Sequence, residues 1–473
     1  MNDTTVKPVR LTGLAALRWG WRVARQPLAA TRRIFKSCGP FVILAEALPF
    51  IRSKHAVVLD VPLVLTAGAA FNSELLSNTA IWRSISALPG GPRGSAARRM
   101  SVGLTRLTGE PHAHYRKLLL PPLRKASVEA LATNMARLAE AETASWPLDQ
   151  PIDLWQHLRR IMQIFSVELL FGGGSEEGRA IAALAGRMME TKWDRRASAL
   201  PINLPNTAYR RVVRQAEILE RRILQWAAAK RGHPDGRDLA SIIVNSPDSK
   251  GEPPDDEAIV AHIASLLALS SEGSESTLTW ALFLLAQHPR IAAVLLDELD
   301  NKLGRESPSL DKVGDLAYLD AVVKEAMRVL PPLPILIRIA ERDTTIAGYA
   351  VPEGTRAILN VFIVNRTPDL YPDGDVFRPE RWSTIAPSAY EFPVFSAGPH
   401  ICPGYWFAMT AVKIALAAIL LRYRISLPSG TRIDYRIQPT MRPAGPMPVT
   451  LHRQDGIFAA APVSGSINEL VHL

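Results

Sequence analysis

The sequence predicts a mainly α-helical chain with a small β-rich lobe. Residues 127–245 run in helical period, broken at Gly172-Gly173-Gly174 and again over residues 200–206, where prolines fall. Two further apolar stretches of helical length cover residues 255–287 and 405–421. Residues 343–364 instead alternate, with Gly and Pro punctuation, as a small antiparallel sheet does.

Composition agrees. An apolar share of 47% over 473 residues is enough for a large core and excludes a disordered chain. The two cysteines, Cys38 and Cys402, give no disulfide framework and suit a reducing compartment. The net charge is +10, with pairs at Arg98-Arg99, Arg195-Arg196 and Arg210-Arg211. No zinc spacing, helix-turn-helix pattern or aromatic RNA-binding stretch accompanies them, so a basic face for an acidic protein partner suits the charge better than nucleic acid. No apolar stretch is read as reaching the roughly 18 residues of a bilayer span. Leu11 to Leu17 is too short, before Arg18, to be a signal peptide. The expectation is a cytoplasmic protein.

In chain order, residues 11–36 place Leu14, Leu17, Trp21, Ala24 and Leu28 at helical spacing beside arginines. Such a helix packs on its own domain or lies on a membrane surface. Residues 1–37 are taken as this basic segment, 38–455 as one catalytic domain and 456–473 as a loose tail. Residues 56–66 read as a strand pair with Pro62 at the turn, and residues 88–94 as loop. A helix opens at Gly109. On it His112 and Arg116 share a face and can both donate to an anion, while His114 lies off that face. Asp255 to Gln287 is the longest helical pattern and stops at His288-Pro289. Glu325 and Arg328 are three apart on a later helix and can pair. Residues 331–338 then leave that helix as an extended segment. Residues 440–452 read as a last hairpin.

The most informative stretch is Phe395-Ser396-Ala397-Gly398-Pro399-His400-Ile401-Cys402-Pro403-Gly404. The apolar run from Tyr405 follows at once. Cys402 therefore sits at a helix start, where unpaired N–H groups and the helix dipole favour thiolate. Pro403 suits the first helical turn. On these residues alone, Cys402 is a buried structural cysteine or a thiolate ligand for a soft metal.

The whole pattern resembles the cysteine loop of the haem-thiolate monooxygenases, the cytochrome P-450 family. It reads Phe-x-x-Gly-x-(Arg/His)-x-Cys-x-Gly and is met at Phe395, Gly398, His400, Cys402 and Gly404. His112-x-x-x-Arg116, Glu325-x-x-Arg328 and Pro379-Glu380-Arg381-Trp382 occur in the family's order, and the resemblance covers residues 38–452. It implies haem b, iron protoporphyrin IX, held between the long central helix and the cysteine-loop helix. Cys402 would ligate the iron. His112, Arg116, Arg338 and His400 would hold the propionates, and Arg381 would join the Glu325–Arg328 pair. Residues 88–94 and 331–338 would border the substrate pocket, and residues 200–206 would link two lid helices. The implied activity inserts one atom of O2 into a lipophilic small molecule: a terpenoid, a fatty acid or another secondary metabolite. Electrons would come from a separate ferredoxin- or flavodoxin-type donor and its reductase.

One departure stands out. Counting back from His288-Pro289, the family register puts the distal acid at Glu272, the alcohol slot at Gly273 and the kink at Ser270. An acid relays protons and an alcohol orients the water that carries them. With the alcohol missing, Ser270 and Ser274, one turn apart, are candidates to hold that water, as is a substrate hydroxyl. A shifted register, Glu275-Ser276, restores an acid–alcohol pair but breaks the spacing to His288. The departure also opens a second reading, an enzyme that rearranges, couples or desaturates its substrate or uses peroxide. A third is a haem protein that only binds or senses a ligand.

Overall fold

A computed structural model describes residues 9–11, 18, 22, 27–44, 63–85, 90–193, 197, 202–233, 236–304 and 310–473. The strand-pair turn at Pro62, most of the N-terminal amphipathic positions and part of the 194–201 connection lie outside these residues.

The chain begins with β1 (Val9–Leu11), α1 (Pro27–Cys38), β2 (Phe41–Leu44), β3 (Leu63–Thr66), α2 (Ala69–Ser77), β4 (Trp82–Ser84) and α3 (Ala96–Met100). A helical lobe follows: α4 (Gly109–Leu123), α5 (Lys125–Ala144), α6 (Leu154–Phe171) after the short β5 (Pro151–Asp153), α7 (Glu176–Trp193), α8 (Ala208–Lys230) and α9 (Leu239–Asn245). The predicted break at the glycine triplet separates α6 from α7, where Gly172 takes a φ of 74° that favours glycine.

The long predicted helix starts where Asp255 caps it, accepting the Ala258 N–H at 2.7 Å. It is not continuous. It divides into α10 (Asp256–Leu269) and α11 (Glu272–Gln287), with the break at Ser270-Ser271, the position of the expected kink. α12 (Pro289–Leu303) turns away by 113°, because Pro289 cannot continue the ladder. Next come α13 (Ala317–Val329), β6 (Ile335–Ala340), β7 (Thr344–Ile346), β8 (Tyr349–Val351), β9 (Arg356–Asn360) and the single turn α14 (Val361–Val364). The cysteine loop leads into α15 (Tyr405–Arg422), then β10 (Tyr423–Ser426), β11 (Tyr435–Ile437), β12 (Met441–Pro443) and β13 (Pro448–Arg453).

The core is helical. α11 and α15 pack against each other and are buried on nearly every face, which is why both read as apolar all round rather than as stripes. α15 corrects the expectation that no stretch reaches membrane-span length: its 18 residues do. Its burial marks it as a core helix.

The β lobe is a six-stranded sheet in the order β1-β2-β3-β9-β6-β4. β3 pairs antiparallel with β2 and parallel with β9, so its partner is not the segment just before it, as a local hairpin required. The last hairpin is also corrected. β12 pairs with β11, while β13 joins β10 and β5 in another sheet, so residues 440–452 serve two sheets.

Both ends of the chain run on into packed structure. Residue 37 falls inside α1, whose Leu28 and Ile34 are fully buried and whose Thr31 accepts from Asn360 Nδ2 at 2.8 Å. The C-terminal tail is not loose: Ile467, Leu470 and Val471 are buried, and Val376 bridges His472. The three anchoring residues fall at i, i+3 and i+4, a pattern too short to mark an element in the sequence.

Candidate active site

The loop that carries Cys402 is fixed from behind by a buried ion cluster. Glu325 and Arg328, one turn apart on α13, are both fully buried. Arg328 donates twice to Glu325, at 2.8 Å each. Arg381 Nε, the Arg378 N–H and Trp382 Nε1 also donate to Glu325, each at 2.9 Å. Arg328 spends its remaining donors on the carbonyls of Asn365, Gly374 and Val376. A buried carboxylate and two guanidinium groups persist only when satisfied in this way. The Arg381 contact is the one expected from sequence, and Trp382 is an addition. Arg366, given no role from sequence, is a second anchor: it pairs with Asp375 at 2.9 Å and donates to Val329 O and Leu470 O.

The loop itself closes on a main-chain bond from Cys402 N to Phe395 O at 2.8 Å. The Phe395 ring packs edge-on against Tyr405, with centroids 4.8 Å apart. Gly398 has a φ of +65°, and a Cβ there would lie 2.7 Å from Leu76 O, so only glycine fits against the end of α2. The expected helix start is corrected. α15 begins at Tyr405 with Gly404 as N-cap, so Cys402 and Pro403 precede the helix. Burial pushes the Cys402 thiol up, against a hydrogen bond from the Gly404 N–H and the charge of Arg116. The helix start does not by itself make a thiolate here. A bound cation must.

Beside the thiol stands a set of donors. His112 and His400 stack at 4.1 Å between centroids. Arg116 Nη1 donates to Ile401 O at 2.7 Å. Burial, then the charges of His112, Arg338 and Arg116, lowers His400 to about 4. Burial, then Arg116, lowers His112. Arg338 is buried, donates to the neighbouring Ile337 carbonyl, and leaves Nε buried with no partner among the described residues. No carboxylate appears among the groups acting on His112, His400 or Arg338. A buried cation without an acid is costly unless an anion completes it. This donor set and the adjacent thiol fit a porphyrin that carries carboxylates and a thiolate-ligated iron. His114, by contrast, contacts the Pro247 carbonyl at 2.8 Å, away from the cluster. Arg338→Leu is therefore expected to raise the melting point of haem-free protein, yet to weaken haem retention about tenfold or more, since a charged hydrogen bond contributes about 1.5–3 kcal/mol. Soret absorbance per protein and a thermal melt check the two directions.

On the opposite helix, a Cβ at Gly273 would meet nothing within 4 Å. Leu269, four residues earlier, is 45% exposed despite being apolar, so this face borders open space. Ser270 is turned toward α6, where its hydroxyl bonds that of Ser166. That contact argues against a free water-holding role. Ser274 is buried. Ser276 donates to Met441 O and is fully buried, so the shifted Glu275-Ser276 register offers no available alcohol. Glu272 and Glu275 line a cavity with Arg159 of α6, Glu190 of α7 and Arg442 of β12. Burial, then Glu275, pushes Glu272 up to about 8. Burial pushes Glu275 up to about 7, against Arg159. The three-residue spacing of the two glutamates was visible in sequence. Their partners, brought in by α6, α7 and β12 from distant parts of the chain, were not.

A family model described as Cytochrome P450 matches residues 93–449. Cyclooctatin synthase of Streptomyces melanosporofaciens is 29% identical over 374 residues, covering 76% of this chain and 80% of that protein. Pentalenene oxygenase of Streptomyces avermitilis is 27% identical over 339 residues, covering 69% of this chain and 74% of its own. Among solved structures, retinoic acid-bound cyanobacterial CYP120A1 superposes with a TM-score of 0.77 at 21% identity, over 94% of this chain and 99% of that one. At that identity the match shows the fold.

Proposed function

The chain belongs to the cytochrome P450 family, and from that premise we propose that this haem-thiolate monooxygenase hydroxylates a terpene-type hydrocarbon. The observation that carries the chemistry is the half-buried thiol of Cys402 beside an acid-free group of donors that includes Arg338, whose Nε is buried without a partner among the described residues. The substrate class is supported by relatives whose names carry such hydrocarbons, pentalenene and germacrene A among them.

When bound, the haem supplies the iron at which O2 is activated for transfer of one oxygen atom. The net reaction takes a substrate C–H, O2, two electrons and two protons to an alcohol and water. Cys402 holds the iron. His112, Arg116, Arg338 and His400 hold the propionates, through charge-assisted hydrogen bonds. Phe395, Gly398 and Gly404 keep the loop rigid around the sulfur. Glu272 holds a proton on the side of Gly273. The electrons come from a separate ferredoxin- or flavodoxin-type protein that meets a basic face in the cytoplasm.

A second reading is favoured by Gly273: with no alcohol in its slot, the enzyme uses peroxide or performs rearrangement, coupling or desaturation. Soret-shift titration with terpenes, fatty acids and steroids names the ligand class. Product formation with O2 and a reductase system, set against peroxide alone, separates the readings. Turnover only with peroxide, and none with O2 and the reductase system, would reject the monooxygenase. Space around Gly273 leads to a related expectation. A Cβ there meets nothing within 4 Å, and Gly273→Thr is expected to raise the yield of product per reductant consumed by severalfold, read as lower hydrogen peroxide release. The second reading predicts no such gain.

A further inference from the structure

Between α6, α7, the α10–α11 break and β12, the cavity next to Glu272 offers about 40 Å³ to water-sized molecules, room for more than one water. Two donors on its wall, Trp193 Nε1 and Arg442 Nε, are buried without a partner among the described residues. Buried donors in a polar cavity are satisfied by internal water. Glu272 and Glu275 enter from the first turn of α11, on one helical face. The Ser271 side chain hydrogen-bonds Glu275. The charged groups facing the pair are Arg159 from α6, Glu190 and Lys192 from α7, and Arg442 from β12. Arg159 is already paired with Glu190. A half-buried and a buried carboxylate three residues apart then compete for what remains, and like charges so placed resist full ionisation.

We propose that Glu275 is a second proton-carrying residue of this enzyme: it shares a proton with Glu272 and reloads Glu272 from the water of this cavity. The proposal rests on the monooxygenase reading above. Each cycle breaks the O–H bond at Glu272 as its proton passes to a water molecule on the Gly273 side and onward to become one of the two protons consumed in the net reaction. The proton of Glu275 then forms a new O–H bond at Glu272, and cavity water relays a proton from solvent to Glu275, so one solvent proton enters for each one delivered. No electron moves in these steps. A neutral carboxyl is itself a hydrogen-bond donor, so the pair supplies what a hydroxyl at Gly273 would have ordered. Burial supports it, holding both carboxyls near neutral pH in their titration range.

The test uses the full-length, haem-loaded protein and its Glu275→Gln and Glu275→Asp variants. The infrared carbonyl band of protonated carboxyls is followed against pH without substrate. Product per reductant, kcat and KM are measured with substrate. In Glu275→Gln, Glu272 is expected to titrate at lower pH than in wild type, because the neighbouring negative charge is gone. The product yield is expected to fall severalfold through kcat, with KM unchanged and a larger solvent isotope effect. Glu275→Asp restores part of the yield. An unmoved Glu272 titration, or an unchanged yield, overturns the proposal. So does a folded Glu275→Asp variant as poor as Glu275→Gln, which would mean a merely structural role. A wild type that oxygenates nothing sinks the functional reading instead, and the infrared shift still decides whether the proton is shared.

Discussion

Glu325→Ala is expected to leave little folded, haem-loaded protein. Glu325 accepts five hydrogen bonds, from Arg328, Arg381, Trp382 and the Arg378 main chain. Truncation strands two buried guanidinium groups at once. Breaking a buried ion pair from one side costs about 3–5 kcal/mol, against a total stability of about 5–15 kcal/mol for a typical domain. The damage propagates to the site, because Arg381 and Trp382 belong to the segment that feeds the cysteine loop. Denaturant unfolding together with Soret absorbance per protein checks it. Glu325→Gln keeps the shape and loses the charge, so it should fall between wild type and alanine. An alanine variant that loads haem fully, with an unchanged midpoint, would contradict this account of the cluster.

Cys402→Ala is expected to abolish oxygenation while leaving the fold in place. The bond that closes the loop runs between main-chain atoms of Cys402 and Phe395 and survives the substitution. The sulfur is what the chemistry loses. Burial holds this thiol up, so in the protein alone the proton stays on. A metal cation replaces that proton and stabilises the thiolate far more than the single Arg116 charge does. Cys402→Ser tests the same point more gently, since an alkoxide is a weaker soft-metal ligand. Circular dichroism should match wild type, and product should drop below detection. Retained turnover in the alanine variant would mean another residue holds the iron.

The architecture was readable where one physical rule dominates. Apolar, helix-period runs such as 255–287 and 405–421 became α10, α11 and α15, because a core helix has few alternatives. Glycine and cysteine in the 395–404 loop were equally plain: Gly398 faces Leu76 O at a distance that no side chain tolerates. Less readable was anything set by pairing across long separations. β3 looked like half of a hairpin and instead found β2 and β9. The cavity beside Glu272 draws on Arg159, Glu190 and Arg442, whose meeting depends on how α6, α7 and β12 pack. The thiol of Cys402 misled for another reason. Helix-start electrostatics favours thiolate, but desolvation is larger, and burial cannot be read from the loop's own residues.

The most direct check of the central claim is the spectrum of the purified wild-type protein, reduced and treated with carbon monoxide. Ligation of the haem by Cys402 sulfur predicts the red-shifted Soret band of a thiolate–haem complex. A band at the position given by histidine-ligated haem, or a colourless protein after haem supplementation, would contradict it.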